Sequence, residues 1–318
     1  MMSLRIAYIG AGSFSSRFIF PQLGRHDVQL AAVCDLVEER ARRAADRHGF
    51  ESVYVDFREM LQREGPDAVF CVGPPQMQCE VGLDVLRAGF PLYVQKPAAS
   101  SSPPVREMAE AAHEAGVVCH VGFNLRSAPA VRRTREILTA DEFGAPTLMV
   151  FRYGLMAGRT WSSAITDQNV HAVDTILHLL GDWKSVQATP LAQEGVRGYV
   201  AAITLASGAL ASLNVTSEMD SGDEFIYFEI TGRAGHTVFS HDGDLRYHRP
   251  EADDICMQMG TWNPQRLIDW WGYHDDVANF LAAVRGEEQD IAPVEDTVRT
   301  MELCEAILHR LREEGAPQ

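Results

Sequence analysis

One short segment near the N-terminus constrains the fold of this chain more than any other. An apolar run at residues 4–9 leads directly into residues 10–15, which read Gly-Ala-Gly-Ser-Phe-Ser. Gly10 would allow a tight turn after a strand, and Gly12 would let the backbone approach a pyrophosphate at the N-terminus of the next helix. Ser15 stands where the dinucleotide-binding pattern has its third glycine. The residues of this turn that we expect to contact a dinucleotide are Gly10, Gly12, Ser13 and Phe14.

The acidic residue after the second apolar run supports the same interpretation. That run, residues 28–34, ends at Asp35, 20 residues after Ser15, which is the spacing at which an acid binds the ribose hydroxyls of adenosine. A carboxylate there would repel the extra phosphate of NADP, and Leu36 follows it with no adjacent Arg or Lys. We therefore expect NAD as cofactor rather than NADP. The alternative is that Asp35 only caps a helix that begins near Glu38.

Strands and helices alternate along the first 121 residues. Strand-like apolar runs lie at 4–9, 28–34, 68–72, 91–95 and 117–121. Segments of helical composition between them lie at 38–48, 76–88 and 103–115. Parallel strands joined by helices form a sheet that is covered on both faces. The predicted fold class is therefore α/β, with a doubly wound parallel sheet in the N-terminal part.

The pattern changes after residue 121. Helix-like segments at 128–140 and 168–180 flank a strand-like segment at 146–154. Shorter strand-like segments follow at 198–206, 209–216, 224–231, 236–240 and 244–248, and helical segments at 274–285 and 295–313 come last. Turn signals at 207–208 and 232–235 and the short connections favour an antiparallel, meander-like sheet. A length of 318 residues fits two domains, which we predict as 1–121 and 122–318.

Charge and composition exclude several classes of protein. The chain has 28 Lys and Arg against 44 Asp and Glu, a net charge of −16, so nucleic acids and anionic membranes are not expected partners. We find no signal-peptide pattern and no apolar run of about 18 residues that would suggest a membrane span. The six cysteines form no Cys-x-x-Cys pair. These features predict a reduced, cytoplasmic protein.

One segment of the second part carries a stripe of titratable side chains. Its members are spaced i, i+4, i+7 and i+11 and are Asp167, His171, Asp174 and His178. Residues at these spacings share one face of a helix, which can present a base to a cleft, although a solvent-exposed face would look the same. A metal site formed by Asp167, His171 and Asp174 is a further alternative. The segment lacks the His-Glu-x-x-His arrangement and an obvious extra ligand, so we expect no metal.

Several other motifs occur in a characteristic order. Besides the glycine turn and the stripe, they are Pro-Pro at 74–75, Tyr-Val-Gln-Lys-Pro at 93–97, Gly-Phe-Asn-x-Arg at 122–126, Phe-Gly-Ala-Pro at 143–146 and Asp-x-x-x-Phe-Leu at 276–281. Together they resemble the glucose–fructose oxidoreductase/inositol dehydrogenase/MocA (Gfo/Idh/MocA) family. The resemblance implies an N-terminal Rossmann domain and a C-terminal α+β domain with a large, open, mostly antiparallel sheet. Such a sheet often forms the oligomer interface in the family, so a homodimer or homotetramer is expected.

The resemblance also implies a catalytic set, formed by Lys96, Asp167 and His171. Oxidation of an alcohol needs a base at the hydroxyl while hydride leaves its carbon, and a neutral His171 suits that role near pH 7. The ammonium group of Lys96 would stabilise the developing alkoxide, and Asp167 would orient His171 or bind a neighbouring hydroxyl. The expected cofactor contacts beyond the glycine turn are Asp35, Pro74, Gln78, Gln95 and Lys96.

Three positions depart from the family pattern. Gln95 stands where the Glu-Lys-Pro motif of the family has glutamate, so Lys96 loses an anionic neighbour. Gln78 stands where many members have histidine, and Asn169 replaces a glycine that is usual in the stripe segment. These changes surround the expected substrate, so they concern specificity more than fold.

Together these observations favour an NAD-dependent oxidoreductase that acts on a secondary hydroxyl of a sugar, sugar acid or inositol-like polyol. Side chains that we expect to reach the substrate are Asn124, Arg126 and Trp161. Two alternatives remain open from the sequence. One is a redox-neutral enzyme that keeps NAD tightly bound during glycoside cleavage or epimerisation. The other is a non-catalytic dinucleotide-binding protein.

Overall fold

The computed structural model describes residues 3–154, 160–191, 196–218, 226–258, 268–287 and 291–316. The chain divides into two compact units. The first consists of Met1–Asn124 with Tyr273–Val298, and the second consists of Leu125–Gly272 with Arg299–Gln318. Residues 273–298 thus belong with the N-terminal part, although they follow most of the second unit along the chain. The division into domains at residue 121 stays a prediction.

The first unit is built on a parallel sheet. Its strands are β1 (Leu4–Ile9), β2 (Val28–Cys34), β3 (Ser52–Tyr54), β4 (Ala68–Cys71), β5 (Leu92–Gln95) and β6 (Cys119–Gly122). Among the described residues the strand order is β3-β2-β1-β4-β5-β6, and all neighbouring strands run parallel. The strand order reverses between β1 and β4. Ligands of doubly wound sheets bind outside the carboxyl ends of the strands at such a switch point.

Helices connect these strands, and local sequence signals set their ends. They are α1 (Phe20–Leu23), α2 (Glu38–His48), α3 (Phe57–Glu64), α4 (Pro75–Arg87), α5 (Ser102–Ala115) and the returning helix Tyr273–Val284, and a π-helical turn (Ser15–Ile19) precedes α1. Helix α2 begins with Glu38 and Glu39, which favour the positive end of the helix dipole, and it ends at Gly49, whose φ of 85° is left-handed.

The core of the first unit is rich in packed aromatic rings. Tyr8 on β1, Phe70 on β4 and Tyr93 on β5 are fully buried neighbours in the sheet. Their ring centroids lie 5.8 Å apart for Tyr8 and Phe70 and 4.7 Å apart for Phe70 and Tyr93. Phe280 of the returning helix meets the Phe70 ring edge to face at 5.2 Å. Because aromatic side chains bury a large apolar area, these contacts attach the returning helix to the sheet.

The second unit is built on a larger sheet. Its strands are β7 (Leu148–Gly154), β8 (Trp183–Pro190), β9 (Gly198–Leu205), β10 (Leu210–Thr216), β11 (Ile226–Thr231), β12 (Thr237–His241), β13 (Asp244–His248) and β14 (Ile255–Met257). In the part of the chain that the structure describes, their order is β14-β13-β12-β11-β7-β10-β9-β8. Strands β7 and β10 pair parallel, and the other neighbouring strands pair antiparallel.

Within the described ranges, helices cover one face of this sheet, and apolar side chains are exposed on the other. The helices of the unit are α6 (Pro129–Leu138), α7 (Trp161–Ser163), α8 (Val170–Leu180) and most of the C-terminal helix Val294–Glu313, and a π-helical turn (Ala164–Asn169) joins α7 to α8. The register pairs Leu210 with Leu148, and Val200 lies on the same face. These three apolar side chains are 51%, 44% and 48% exposed, in that order. Alternate strand residues, such as Leu213, are buried on the helix side.

The fold class predicted from the sequence is confirmed, because a parallel Rossmann-type sheet accompanies a separate, mostly antiparallel sheet. The elements that were not predicted from the sequence are β3, α3, α7, β8 and β14. The meander expectation is wrong where β7 pairs with β10, because the chain passes through α8, β8 and β9 before β10 returns beside β7 in the same direction.

A buried ion pair lies within the second unit. Arg126 donates from Nε and Nη2 to the two carboxylate oxygens of Asp174 on α8, at 2.9 and 2.7 Å. The two side chains are only 6% and 1% exposed. The hydroxyl of Thr300 also donates to Asp174, at 3.2 Å. Such two-point pairing with an added hydrogen bond offsets the cost of removing both charges from water.

Removal of this buried carboxylate should destabilise the protein strongly. Asp174→Ala leaves the Arg126 charge buried without its anion, so the free energy of unfolding should fall by about 3–5 kcal/mol. Asp182→Ala is the matched control, because Asp182 accepts from Arg299 at 2.8 Å while these side chains are 51% and 44% exposed. The control should cost about 0–1 kcal/mol in denaturant unfolding. Equal losses in the two variants would contradict the role assigned to burial.

Candidate active site

The glycine turn lies at the carboxyl end of β1, beside the end of β4. Gly10 has a φ of 97°, and a Cβ built on it would stand 2.0 Å from the backbone oxygen of Val72. Only glycine fits this conformation at this separation. A Cβ on Gly12 would meet no described atom within 4 Å, so open space adjoins the turn there. Buried Ser15 donates from Oγ to the backbone oxygen of Gly10 at 2.6 Å, so the residue that replaces the third glycine braces the turn.

Asp35 is bound to the turn through its side chain. Its Oδ2 accepts from the backbone N–H of Ala11 at 2.9 Å, and its Oδ1 accepts from the backbone N–H of Val37 at 2.9 Å. The second contact lies next to the start of α2, so Asp35 both supports the entry of that helix and reaches the glycine turn. The carboxylate is half-buried, and each of its oxygens keeps lone pairs beyond the one used.

A positively charged helix face adjoins the same turn. A cleft of about 780 Å³ is lined by Gly12, Ser13 and Ser16 and by the exposed Arg40, Arg43 and Arg47 of α2. Turn backbone and cationic side chains are the groups that phosphates of a dinucleotide require, so this part of the structure fits such a cofactor. These arginines were not among the residues predicted from the sequence, because none of them is adjacent to Leu36. Their i, i+3, i+7 spacing on a predicted helix is the signal that identifies them.

The carboxamide of Gln78 holds the backbone on both sides of Lys96. Its Nε2 donates to the backbone oxygens of Gln95 and Pro97, at 2.8 and 3.1 Å. Its Oε1 accepts from the backbone N–H of Gln95 at 2.9 Å and from that of Gly73 at 3.3 Å. Gln78 is 1% exposed, and both ends of its amide are engaged with the backbone. An ordinary histidine could not both accept twice and donate twice at this position.

The end of β5 presents the other predicted cofactor contacts of this unit. Gln95 is 4% exposed and donates from Nε2 to the hydroxyl of Tyr93 at 2.9 Å. Its Oε1 has no hydrogen-bond partner among the described residues. Half-buried Lys96 follows, and the peptide between Lys96 and Pro97 is cis. Pro74 is exposed at the start of α4.

The predicted stripe of titratable residues is largely buried. His171 and Asp174 on α8 are 5% and 1% exposed, so a solvent-facing stripe does not describe them. Asp167 is half-buried in the π-helical turn before α8. The spacing from Asp167 to His171 puts two residues on one face only in a regular α-helix, and here the α-helix begins at Val170. The backbone oxygen of His171 accepts from the hydroxyl of Thr175 at 2.8 Å.

The side chains expected to reach the substrate are nine-tenths or more buried. Asn124 is 2% exposed, and Arg126 is occupied by the two-point contact with Asp174. Trp161 is 6% exposed, and its ring lies 6.2 Å from the ring of Tyr199. The contact of these residues with substrate stays a prediction, as does the catalytic set. Within that set, Lys96 belongs to the first unit, whereas Asp167 and His171 belong to the second.

The described ranges contain neither a group of side chains suited to a metal ion nor a helix suited to span a membrane. There, no three His, Cys, Asp or Glu side chains are grouped in a way that could hold a metal ion. Across the same ranges, no helix is both long and apolar enough to cross a bilayer.

Loss of the Gln78 carboxamide should loosen the Lys96 segment. Gln78→Ala leaves buried backbone groups of Gln95 without partners, so the free energy of unfolding should fall by about 1–3 kcal/mol. Hydrogen exchange of the Gln95 amide should become faster in the same variant. Gln76→Ala is the control, since the side chain of exposed Gln76 on the same helix donates to the side chain of Glu80 at 2.9 Å. If the Gln95 amide kept its protection in Gln78→Ala, the assigned contact would be wrong.

Family models match most of the chain. Residues 4–123 match an oxidoreductase family with an NAD-binding Rossmann fold, GFO_IDH_MocA. Residues 131–238 match the GFO/IDH/MocA C-terminal domain. The two matches follow one another in the order that the sequence motifs predicted.

Individual proteins agree with the family models. D-glucoside 3-dehydrogenase of Escherichia coli strain K12 is 28% identical over 190 residues, which are 56% of this chain and 54% of that protein. A 4-carboxy-2-hydroxymuconate-6-semialdehyde dehydrogenase of Sphingobium is 26% identical over 325 residues, 96% of this chain and 99% of that protein. A dehydrogenase from Chromobacterium violaceum has the same fold, with a TM-score of 0.91 at 23% identity over 98% of this chain and 96% of that one. The predicted resemblance is thus confirmed: the chain belongs to the GFO/IDH/MocA family of nicotinamide-dependent oxidoreductases.

Proposed function

We propose that this protein is an NAD-dependent oxidoreductase that transfers a hydride between nicotinamide and a secondary hydroxyl of a sugar, sugar acid or inositol-like polyol. The observation that carries the proposal is the glycine turn at the end of β1, joined through Ala11 to Asp35. The likeness to D-glucoside 3-dehydrogenase supports a carbohydrate substrate. The relative from Sphingobium, matched over 99% of its own length, is a semialdehyde dehydrogenase, so the choice between hydroxyl and aldehyde substrates is part of the test.

The surroundings of Asp35 support NAD rather than NADP. The remaining lone pairs on its two oxygens suit the two ribose hydroxyls of adenosine, and a phosphate on that ribose would lie against a carboxylate. Leu36 and Val37 are 91% and 46% exposed beside it, an apolar surface suited to an adenine ring. The arginines of α2 are assigned to the phosphates that link the two nucleosides.

The residues of the catalytic set have separate roles in this proposal. When bound, the cofactor takes up the hydride that leaves the substrate carbon. His171 accepts the proton of the hydroxyl, for which a neutral imidazole held away from water is suited near pH 7. The ammonium group of Lys96 stabilises the negative charge that develops on the substrate oxygen. Asp167 orients His171 or binds a neighbouring hydroxyl.

The two parts of the chain have different functions in this proposal. Residues 1–121 bind the cofactor, and residues 122–318 bind the substrate and form the contact of a homodimer or homotetramer. The open sheet face of the second unit supports this assembly, because Leu148, Val200 and Leu210 are exposed together on it. An apolar, unpaired sheet face is typical of an interface.

The charge of Asp35 should determine the cofactor preference. Wild-type protein should bind NADH more tightly than NADPH, and Asp35→Asn should shift the ratio of the two dissociation constants towards NADPH by about tenfold, about 1.4 kcal/mol. Fluorescence titration measures both constants, and thermal unfolding checks that the turn survives the lost acceptor. Asp46→Asn is the control, because Asp46 is an acid that lines the cleft between the glycine turn and α2. A wild-type preference for NADPH, or binding of neither nucleotide, would overturn the assignment.

Replacement of His171 should abolish turnover and spare cofactor binding. His171→Ala should lower kcat by about 10²–10⁴-fold, the usual contribution of a general base, while the dissociation constant of NADH stays the same. His178→Ala on the same helix is the control and should keep kcat within about threefold. The assay follows NADH formation with sugars, sugar acids, inositols and a carboxylated semialdehyde. Turnover of the semialdehyde alone would replace the proposed substrate class, and an unchanged rate in His171→Ala would exclude that residue as the base.

A further inference from the structure

A chain of four buried side chains leads to the residue that precedes Lys96. His120 on β6 and Asp276 on the returning helix lie 2.9 Å apart, measured from Nε2 to Oδ1. The other oxygen of Asp276 lies 2.6 Å from the hydroxyl of Tyr93, which in turn lies 2.9 Å from Nε2 of Gln95. All four side chains are at least 96% buried, and all belong to the first unit. Their hydrogen bonds therefore form without competition from water.

The backbone fixes the direction of these bonds at the His120 end. The backbone N–H of Ala292 donates to Nδ1 of His120 at 3.2 Å. A ring nitrogen that accepts a hydrogen bond carries no proton, so the proton of the neutral ring is on Nε2. His120 therefore donates to Oδ1 of Asp276. That carboxylate is an acceptor on both sides, because it faces a second donor at Tyr93.

The hydroxyl of Tyr93 determines whether residue 95 must donate or accept a hydrogen bond. Burial, and then the adjacent Asp276 carboxylate, raise the pKa of Tyr93 well above its usual range, so the phenol keeps its proton. Its single proton goes to Asp276, the stronger acceptor, and its oxygen is left to accept. Residue 95 must then supply a donor. A glutamine amide does so, whereas an ionised glutamate would compete with Asp276 for the one phenol proton.

The backbone of β6 closes the space around this amide. A Cβ on Gly122 would lie 2.4 Å from Nε2 of Gln95 and 2.5 Å from the hydroxyl of Tyr93. The carboxamide thus occupies a slot that only glycine leaves open. The main chain of Gln95 is held at the same time by Gln78, through its N–H and its carbonyl oxygen. Both the side chain and the backbone of Gln95 are therefore fixed directly before Lys96.

From this geometry we infer that Gln95 is a positioning residue for Lys96, and that Asp276 and His120 determine its identity as an amide through the direction of the hydrogen bonds. The inference rests on the proposed function, because Lys96 is a member of the proposed catalytic set. In the Glu-Lys-Pro motif of the family the negative charge stands beside the lysine. In this protein the residue before Lys96 is the neutral Gln95. The buried carboxylate of Asp276 is two hydrogen bonds away from it, through Tyr93.

Reversal of the hydrogen bonds tests their direction. Q95E places two carboxylates around one phenol proton, and D276N places an additional donor against it, so each single change should lower Tm by at least about 2–4 °C. Q95E/D276N should recover most of this loss, because the asparagine amide can donate to Tyr93 while Tyr93 donates to the glutamate. The same cycle in a Y93F background should show no recovery. Recovery that persists without the hydroxyl would mean simple charge repulsion and would overturn the assigned direction.

The two lysines of the chain allow Lys96 to be observed directly. They are Lys96 and the exposed Lys184, so reductive methylation with ¹³C-formaldehyde labels one reporter and one internal control besides the chain terminus. D276N touches neither lysine, yet it should move or broaden the Lys96 signal and leave the Lys184 signal unchanged. In a Q95A background D276N should leave the Lys96 signal where Q95A alone puts it. An unmoved Lys96 signal in D276N would overturn the positioning role, whatever the activity.

Kinetics separate positioning from stability. At a temperature well below the Tm of every variant, Q95E and D276N should each lower kcat by about tenfold, about 1.4 kcal/mol. Asp276 is not a predicted cofactor contact, so in D276N the dissociation constant of NADH should change less than about threefold. A loss of Tm with unchanged kcat would make the side chains purely structural. If the wild-type protein turned over no substrate, the proposed function would fail by itself, and the Tm cycle and the Lys96 signal would still decide the inference.

Discussion

The close approach of two strand ends governs the cofactor side of this molecule. Gly10, at the end of β1, lies so near the carbonyl of Val72, at the end of β4, that no side chain fits between them. Its N–H also donates to the backbone oxygen of Cys34 at 2.8 Å, so the turn is fixed to β2 as well. Three neighbouring strands thus define where the turn opens. Because strand order reverses here, the helices diverge and leave the crevice in which a dinucleotide can bind.

The two units stabilise their predicted site residues by different electrostatic means. Next to Lys96, the Gln78 amide bonds to the backbone of Gln95 and Pro97, and the Gln95 amide donates to the hydroxyl of Tyr93. On α8 a full ion pair between Arg126 and Asp174 is buried instead. Neutral amides cost less to bury than charges and have fixed donor and acceptor ends. They therefore fix the geometry of the backbone on both sides of the lysine through hydrogen bonds of defined direction.

Much of the fold was predictable from local sequence, and part of the site was not. The glycine turn and the long strands carry their signals within a few neighbouring residues, and Asp35 follows Ser15 at a fixed spacing of 20 residues. Strands β1 and β2 and helix α2 were therefore predicted with their observed bounds. The three-residue strand β3 is only half-buried and has little periodicity to detect. The partners of Tyr93 and Arg126 were beyond local reasoning, because Asp276 is 183 residues from Tyr93 and Asp174 is 48 residues from Arg126. The burial of Trp161 beside Tyr199 likewise depends on a strand that follows α8 in the chain.

Each unit has a π-helical turn next to predicted site residues. Ser15–Ile19 follows Ser13 and Phe14, and Ala164–Asn169 contains Asp167 and precedes His171. A π turn contains about one residue more than an α turn. A helix can accommodate one inserted residue at such a turn without rotating the side chains of the residues that follow. In the second unit this turn lies before His171. An inserted residue there would rotate Asp167 and the preceding chain about the helix axis, while His171, Asp174 and Thr175 keep their positions on α8. Length variation of one residue among related chains is therefore expected to fall in these π-helical turns and to change the position of Asp167 without moving His171.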